Sequence, residues 1–269
     1  MAILVSRVSR GTRMDQIYIP KVRAPGFEVG ETVFVEPALQ KATKKVKLHY
    51  YHVGYLESIK VGVIEKIFEY FEQNAEAENI LVAGSFLERG FTFEDIDILV
   101  IGDKKFDAVK VAEYFREGLG LKTQIIAMGN KALLKGISTD PLFEMLVSKF
   151  VAKRRVIFGV AREIRYKLLD LHLLKSELLI INFYSLTGRE KYKFVRNLTA
   201  IALFLDGKKI SADSVDNEIN RYFGKDAVKS IRENLVDKSF LAKYKKFYDR
   251  VFKRILAGIK NGSEQKQAA

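Results

Sequence analysis

Leu81-Val82-Ala83-Gly84-Ser85, followed after nine residues by Asp95-Ile96-Asp97-Ile98-Leu99-Val100-Ile101, is the stretch that decides how this chain folds. The run Ile80–Ala83 is short, apolar and closed by two small residues, the pattern of a buried strand ending in a turn. At Gly84-Ser85 backbone N–H groups can approach a phosphate with no large side chain intervening. In the second stretch the strand period of two puts Asp95 and Asp97 on one face and Ile96 and Ile98 on the other. Asp is depleted in strands, and Ile98–Ile101 is apolar at every position, as in a central strand. Two acids there need a reason other than solvent exposure, and a pair of carboxylates on one face is a grip for a divalent cation.

These residues resemble the signature of the polymerase-beta-type nucleotidyltransferase superfamily: a hydrophobic residue, Gly, Gly or Ser, a spacer of about ten residues, then Asp-hydrophobic-Asp. The match is closest to the minimal nucleotidyltransferases, in which Arg-Gly follows the Gly-Ser; Arg89-Gly90 stands one residue later than usual. The resemblance covers roughly residues 60 to 159, from a helical run at Tyr55–Gln73 to a Phe143–Gly159 segment like the family's closing element. It implies a mixed-sheet α/β (α+β) domain. Asp95 and Asp97 would be catalytic metal ligands for Mg²⁺ or Mn²⁺; Gly84, Ser85 and Arg89 would bind the triphosphate of an NTP, with ATP the expected nucleotide. Metal-dependent glycosyltransferases also carry Asp-X-Asp at a strand end, but they lack the Gly-Ser turn at this spacing.

The superfamily carries a third carboxylate on the strand after the next helix. Here that helix spans about Phe106–Gly118, and the following strand, Leu121–Met128, contains no acid. Gln124 aligns with the missing position. A carboxamide can coordinate metal through its oxygen, yet it brings neither negative charge nor a useful base. Asp140, Glu94 and Asp103 are the acids that would have to substitute from loops. The departure keeps open a catalytically silent nucleotide- or RNA-binding module, or one member of a toxin–antitoxin-type pair.

The chain has 269 residues, 48% of them hydrophobic, enough for two or three small domains with real cores. It has no cysteine, which excludes disulfides, thiolate zinc sites and cysteine nucleophiles. The start, Met1–Val5 followed at once by Ser6, Arg7 and Arg10, is too short for a secretory h-region, and no apolar run approaches a membrane span. A cytoplasmic protein with no membrane contact is the expectation. The net charge of +13 is unevenly spread: +5 over residues 1–53, −6 over 54–148 and +14 over 149–269. An acidic segment flanked by basic ones would draw a polyanion to the edges of a metal cleft, so RNA or DNA is an expected partner of the basic C-terminal domain.

Residues 1–39 read as a small β unit, with strands at Ile3–Val8, Gln16–Ile19 and Thr32–Glu36. Gln16–Lys21 with Gly26–Glu36 resembles AbrB-like swapped-hairpin domains, which dimerise and often bind DNA; Pro25 opposes the helical turn those domains place between the two segments. Residues 40–54 read as a basic connector containing Lys41, Lys44, Lys45, Lys47, Tyr50 and Tyr51, in which His49-X-X-His52 is more a polar stretch than a metal site. The nucleotidyltransferase-like domain follows over 55–160, a mainly helical basic domain over 161–260, and a polar tail over 261–269. In the helical domain Arg162–Lys175 has helical spacing, Leu178–Tyr184 could be a strand, and Thr187-X-X-Glu190 is a capping box opening a helix to about Leu205. Further helices are predicted at Asp213–Phe223, Asp226–Leu235 and Ser239–Ile259. The last combines an apolar stripe through Tyr244, Phe247, Val251 and Ile255 with a basic face that includes Lys245, Lys246, Lys253 and Arg254. The function these readings converge on is metal-dependent transfer of a nucleoside monophosphate from NTP to a hydroxyl acceptor, in a monomer or a homodimer.

Overall fold

A computed structural model describes residues 8–12, 14–21, 27–30, 47–102 and 106–267, which divide into two compact units, 1–45 and 46–269. In the first, β1 (Val8–Ser9) pairs antiparallel with β2 (Gln16–Ile17), and the Tyr18 hydroxyl donates to Gln16 Oε1 at 2.7 Å. The predicted strand at 32–36, and all but the end of that at 3–8, lie outside the described residues, as does Asp103.

The second unit is a mixed sheet followed by helices. Its chain order is β3 (His49–Tyr51), α1 (Ser58–Asn74), β4 (Asn79–Ala83), β5 (Ile96–Ile101), α2 (Ala108–Leu119), β6 (Thr123–Met128), α3 (Asn130–Thr139), α4 (Pro141–Leu146) and β7 (Phe150–Ala152). The helices α5 (Tyr166–Ile181), α6 (Gly188–Leu205), α7 (Ala212–Phe223), α8 (Ala227–Arg232) and α9 (Lys238–Gln267) follow. The spatial strand order is β3-β7-β4-β5-β6, with β5 and β6 parallel and the other neighbours antiparallel. The predicted strands and helices flanking the Asp-Ile-Asp motif form within a few residues of their expected bounds. Asp107 caps α2 by accepting from the Val109 and Lys110 N–H groups, and Gly120, at φ 65°, ends it.

Alternation along the strands divides the sheet into two apolar faces. Ile80, Val82, Ile96, Ile98 and Val100 pack against Ile64, Phe68 and Phe71 of α1 and Val111 and Phe115 of α2. Leu81, Ala83, Leu99 and Ile101 pack with Leu133 of α3, Val147 and Phe150 on the other side. Each of these buried side chains larger than alanine contributes about 1.5–3 kcal/mol relative to exposure, so the two faces together fix the register of β4 against β5. That register puts Ala83 opposite Asp97, and Gln124 of β6 opposite Asp97 on the other side. Asp97 thus lies on the face away from α1 and α2.

Three readings need correction or completion. His49–Tyr51, within the stretch read as a connector, is an edge strand paired with β7 through His49↔Ala152 and Tyr51↔Phe150, and the two rings stack 4.4 Å apart. Leu178–Tyr184, read as a possible strand, is not one: Leu178–Ile181 is the last turn of α5. Its residues split by helical spacing between a buried side, Leu179, and an exposed side, Leu178 and Ile181. The helices α3 and α4 occupy 130–146, where no helix was predicted; Asp140 caps the second by accepting from Leu142 and Phe143, with Pro141 at its first position.

The helical part has its own core around Leu173, Val195, Ile201, Ile219, Tyr244 and Val251, against which Leu142 and Met145 of α4 also pack. The capping box on α6 forms as predicted, Thr187 and Glu190 bonding reciprocally. The predicted apolar stripe of α9 is buried in this core, and the Tyr244 hydroxyl donates to the Ser176 carbonyl at 2.8 Å.

Candidate functional site

The chain leaves β4 through a single 3-10 turn at Gly84–Leu87, and Gly84 takes φ 79°, a backbone state that only glycine adopts freely. A Cβ at Gly84 would lie 2.0 Å from Asp97 Oδ2. The Asp97 carboxylate therefore rests directly on the Gly84 backbone, and the small residue is required twice, by conformation and by contact. Ser85 follows on the exposed side of the turn, while Phe86 and Leu87 anchor it in the core.

The loop beyond the turn is held by three side chains, Lys60, Glu57 and Lys149. Lys60 of α1, only 1% exposed, donates to the Glu88 carbonyl at 2.5 Å and pairs with Glu57 at 3.1 Å. Its ammonium also lies over the rings of Phe86, Phe91 and Phe93 at 5.3–5.7 Å. Glu57 accepts from the Gly90 N–H at 2.8 Å, and that bond with the Lys60 contact holds its carboxyl down to about 2. Lys149 reaches Glu88 at 3.0 Å. Arg89 is exposed on this loop with its guanidinium 5.7 Å from the Tyr55 ring centre.

Asp95, just before β5, and Asp97 are both half-buried. Burial first, and the neighbouring Asp95 charge second, push the Asp97 carboxyl up to about 6, with the Arg196 guanidinium of α6 acting in the opposite direction. The helical part thus supplies the countercharge. Arg196 is one of a row on α6, since Arg189 donates to Glu94 at 2.5 Å and Lys193 also lowers the Glu94 carboxyl. Positions 189, 193 and 196 share a helix face. Arg196 Nε and the adjacent Asn197 Oδ1 are buried with no hydrogen-bond partner among the described residues.

The sequence reading missed Lys60 and Arg196. A lysine in an amphipathic helix reads as solvated, although Lys60 stands in register with Val63, Ile64 and Ile67 on the buried side. The orientation of Arg196 depends on how α6 docks, and no local signal reveals that.

Of the acids that would substitute for the third carboxylate, Glu94 is paired with Arg189 and Asp140 is engaged as the α4 cap, 3.1 Å from His172 Nε2. The exposed Gln124 remains the neighbour of Asp97 on β6. Among the described residues no three His, Cys, Asp or Glu side chains converge as a metal cage, at His49 and His52 or elsewhere. The pair itself fits a hard cation. Two like charges, one of them raised toward neutrality, are short of positive charge, and Mg²⁺ characteristically takes one or two carboxylates and completes its shell with water and phosphate oxygens. No described helix is long and apolar enough to cross a membrane. No protein-family model matches this chain, and no curated protein sequence matches it.

Proposed function

We propose that this protein is a polymerase-beta-like nucleotidyltransferase that binds an NTP with Mg²⁺ or Mn²⁺ and transfers the nucleoside monophosphate to a hydroxyl acceptor. The observation that carries the reading is the contact of the Asp97 carboxylate with the Gly84 turn, which unites the anionic pair and a backbone able to cradle phosphate in one place. Asp95 and Asp97 would hold the cation, whose contribution when bound is to neutralise charge on the phosphates. Gly84 and Ser85 present backbone N–H groups to the triphosphate, Lys60 and Glu57 keep that loop in place, and Arg89 lies on its exposed rim. Arg196 of α6 balances part of the carboxylate charge. The acceptor would be a nucleic acid drawn by the basic helical part, whose Lys245, Lys246 and Lys253 are exposed on α9; Arg254 is paired with Asp206 at 2.8 Å.

Gln124 favours a second reading, in which the chain binds the nucleotide and does not turn it over. No described carboxylate stands beside Asp97 to take a proton from the acceptor, apart from Asp95. Incubation with α-labelled NTP, Mg²⁺ and an RNA or DNA acceptor separates the two. Labelled acceptor and pyrophosphate from the wild type, abolished in Asp95→Ala/Asp97→Ala, support the enzyme. Metal-dependent binding with no pyrophosphate selects the silent module, and failure to bind NTP refutes both.

A further inference from the structure

Helix α5 is apolar on two sides. Leu169, Leu173 and Leu179 enter the core of the helical part, yet Leu171, Leu174, Leu178 and Ile181 remain 51, 54, 42 and 68% exposed. Their spacing of three, four and three is that of a helix seam, with Leu171 and Leu178 in a positions and Leu174 and Ile181 in d positions. Tyr184, 73% exposed, follows just beyond the end of the helix. Scattered exposed leucines need no explanation, but a continuous stripe along two heptads does.

The charges beside the stripe indicate what covers it. Asp170 occupies a g position, and Lys175, five residues later, is the exposed e position on the other flank. In a parallel pair of identical helices a g residue meets the e residue five positions on in the partner. A two-fold axis along the seam therefore brings Asp170 of each copy to Lys175 of the other, twice over. The g flank is also where α5 leans on α9, since Asp170 and Glu177 both act on Tyr248. The a and d positions and the e flank at Lys175 stay open to solvent, so the seam is accessible and self-complementary from that side.

We propose that α5 pairs in parallel with α5 of a second copy of this chain, forming a two-fold symmetric dimer centred on Leu174 and Leu178. This goes beyond the nucleotide reading and does not depend on it. Four half-exposed aliphatic side chains bury on the order of 400 Å² per protomer, about half of a standard interface and in the size range of weak, transient contacts, so association is expected at micromolar rather than nanomolar protein.

Sedimentation of the full chain between 1 and 200 µM tests the proposal, with Asp170→Lys and Lys175→Asp as separate variants. Each variant alone sets like charges against each other in the dimer and should weaken it at least tenfold. An equimolar mixture should restore association, because the heterodimer carries opposite charges at both contacts. The chain contains no cysteine, so Leu174→Cys gives an independent reading that survives a misfolded charge variant. In the parallel pair d faces d, and this variant should cross-link to itself under mild oxidation. A wild type that stays monomeric at 200 µM overturns the proposal. So does a dimer indifferent to both charge variants, or a Leu174→Cys dimer that forms no cross-link.

Discussion

Asp97→Asn should make the protein more stable while removing its cation site. In the metal-free protein the Asp97 carboxyl is raised from its ordinary 3.8 to about 6. A raised carboxylate binds its proton more tightly in the folded than in the unfolded chain, so ionising it costs folding free energy. The sign is the reverse of that for a salt-bridged acid: stability falls as pH rises from about 4 to about 6. A shift of about 2 units corresponds to about 3 kcal/mol at pH 7, about half of that at pH 5, and almost none at pH 3. Asn keeps the shape and cannot ionise. In chelator at pH 7 it should raise stability by about 2–3 kcal/mol, or Tm by roughly 4 to 12 °C for a unit of this size. Urea unfolding of wild type and variant at pH 7, 5 and 3 is the assay, and the two curves should converge toward acid. Adding Mg²⁺ should close the gap at pH 7 from the wild-type side alone. A variant no more stable than wild type at pH 7, or a difference independent of pH, would refute the electrostatic account of this pair.

Gly84→Ala forces a positive φ on a residue with a side chain, at about 1–2 kcal/mol, and drives its methyl into Asp97. Thermal melts should show that loss, and calorimetry should show Mg·ATP affinity reduced at least tenfold. Lys60→Met keeps the length of the side chain but deprives the Glu88 carbonyl of its donor; it should cost about 2–4 kcal/mol by urea unfolding and weaken ATP binding by loosening the 84–90 loop. Gln124→Asp places a third carboxylate beside Asp97. If the missing base limits turnover, pyrophosphate release should rise by about 10² to 10⁴-fold, and an unchanged rate alongside robust wild-type turnover would mean that another group already serves.

What was legible in the sequence was what local chemistry controls. The Thr187–Glu190 box fixes a helix start by bonds within four residues, and the period-two acids against an apolar run fix β5. The helices after the sheet came from apolar spacing and capping, whereas the mixed sheet itself was an implication of the family resemblance. The edge strand His49–Tyr51 was not legible because three residues gain strand identity only from a partner a hundred residues away. Leu178–Ile181 was ambiguous because α5 carries apolar residues on both its packed and its open side, which erases the usual helical signature. At the candidate site the Asp95, Asp97 and Gly84 grouping was readable from motif spacing; Gln124 was legible only through the resemblance, as the residue standing where the third acid is expected, and its place opposite Asp97 came from the register of β6. The Gly84 contact, the buried Lys60 anchor and the approach of Arg196 from α6 were not legible, since each depends on tertiary docking.

Asp95, Asp97 and the Gly84–Ser85 turn are proposed to bind a metal–nucleotide complex together. Isothermal titration of ATP into the full chain, with Mg²⁺ and then with chelator, compared between wild type and Asp95→Ala/Asp97→Ala, tests it most directly. The account predicts binding by the wild type that requires the cation and is lost in the double variant. Equal binding by both proteins in the presence of Mg²⁺, or no binding by either, would contradict it.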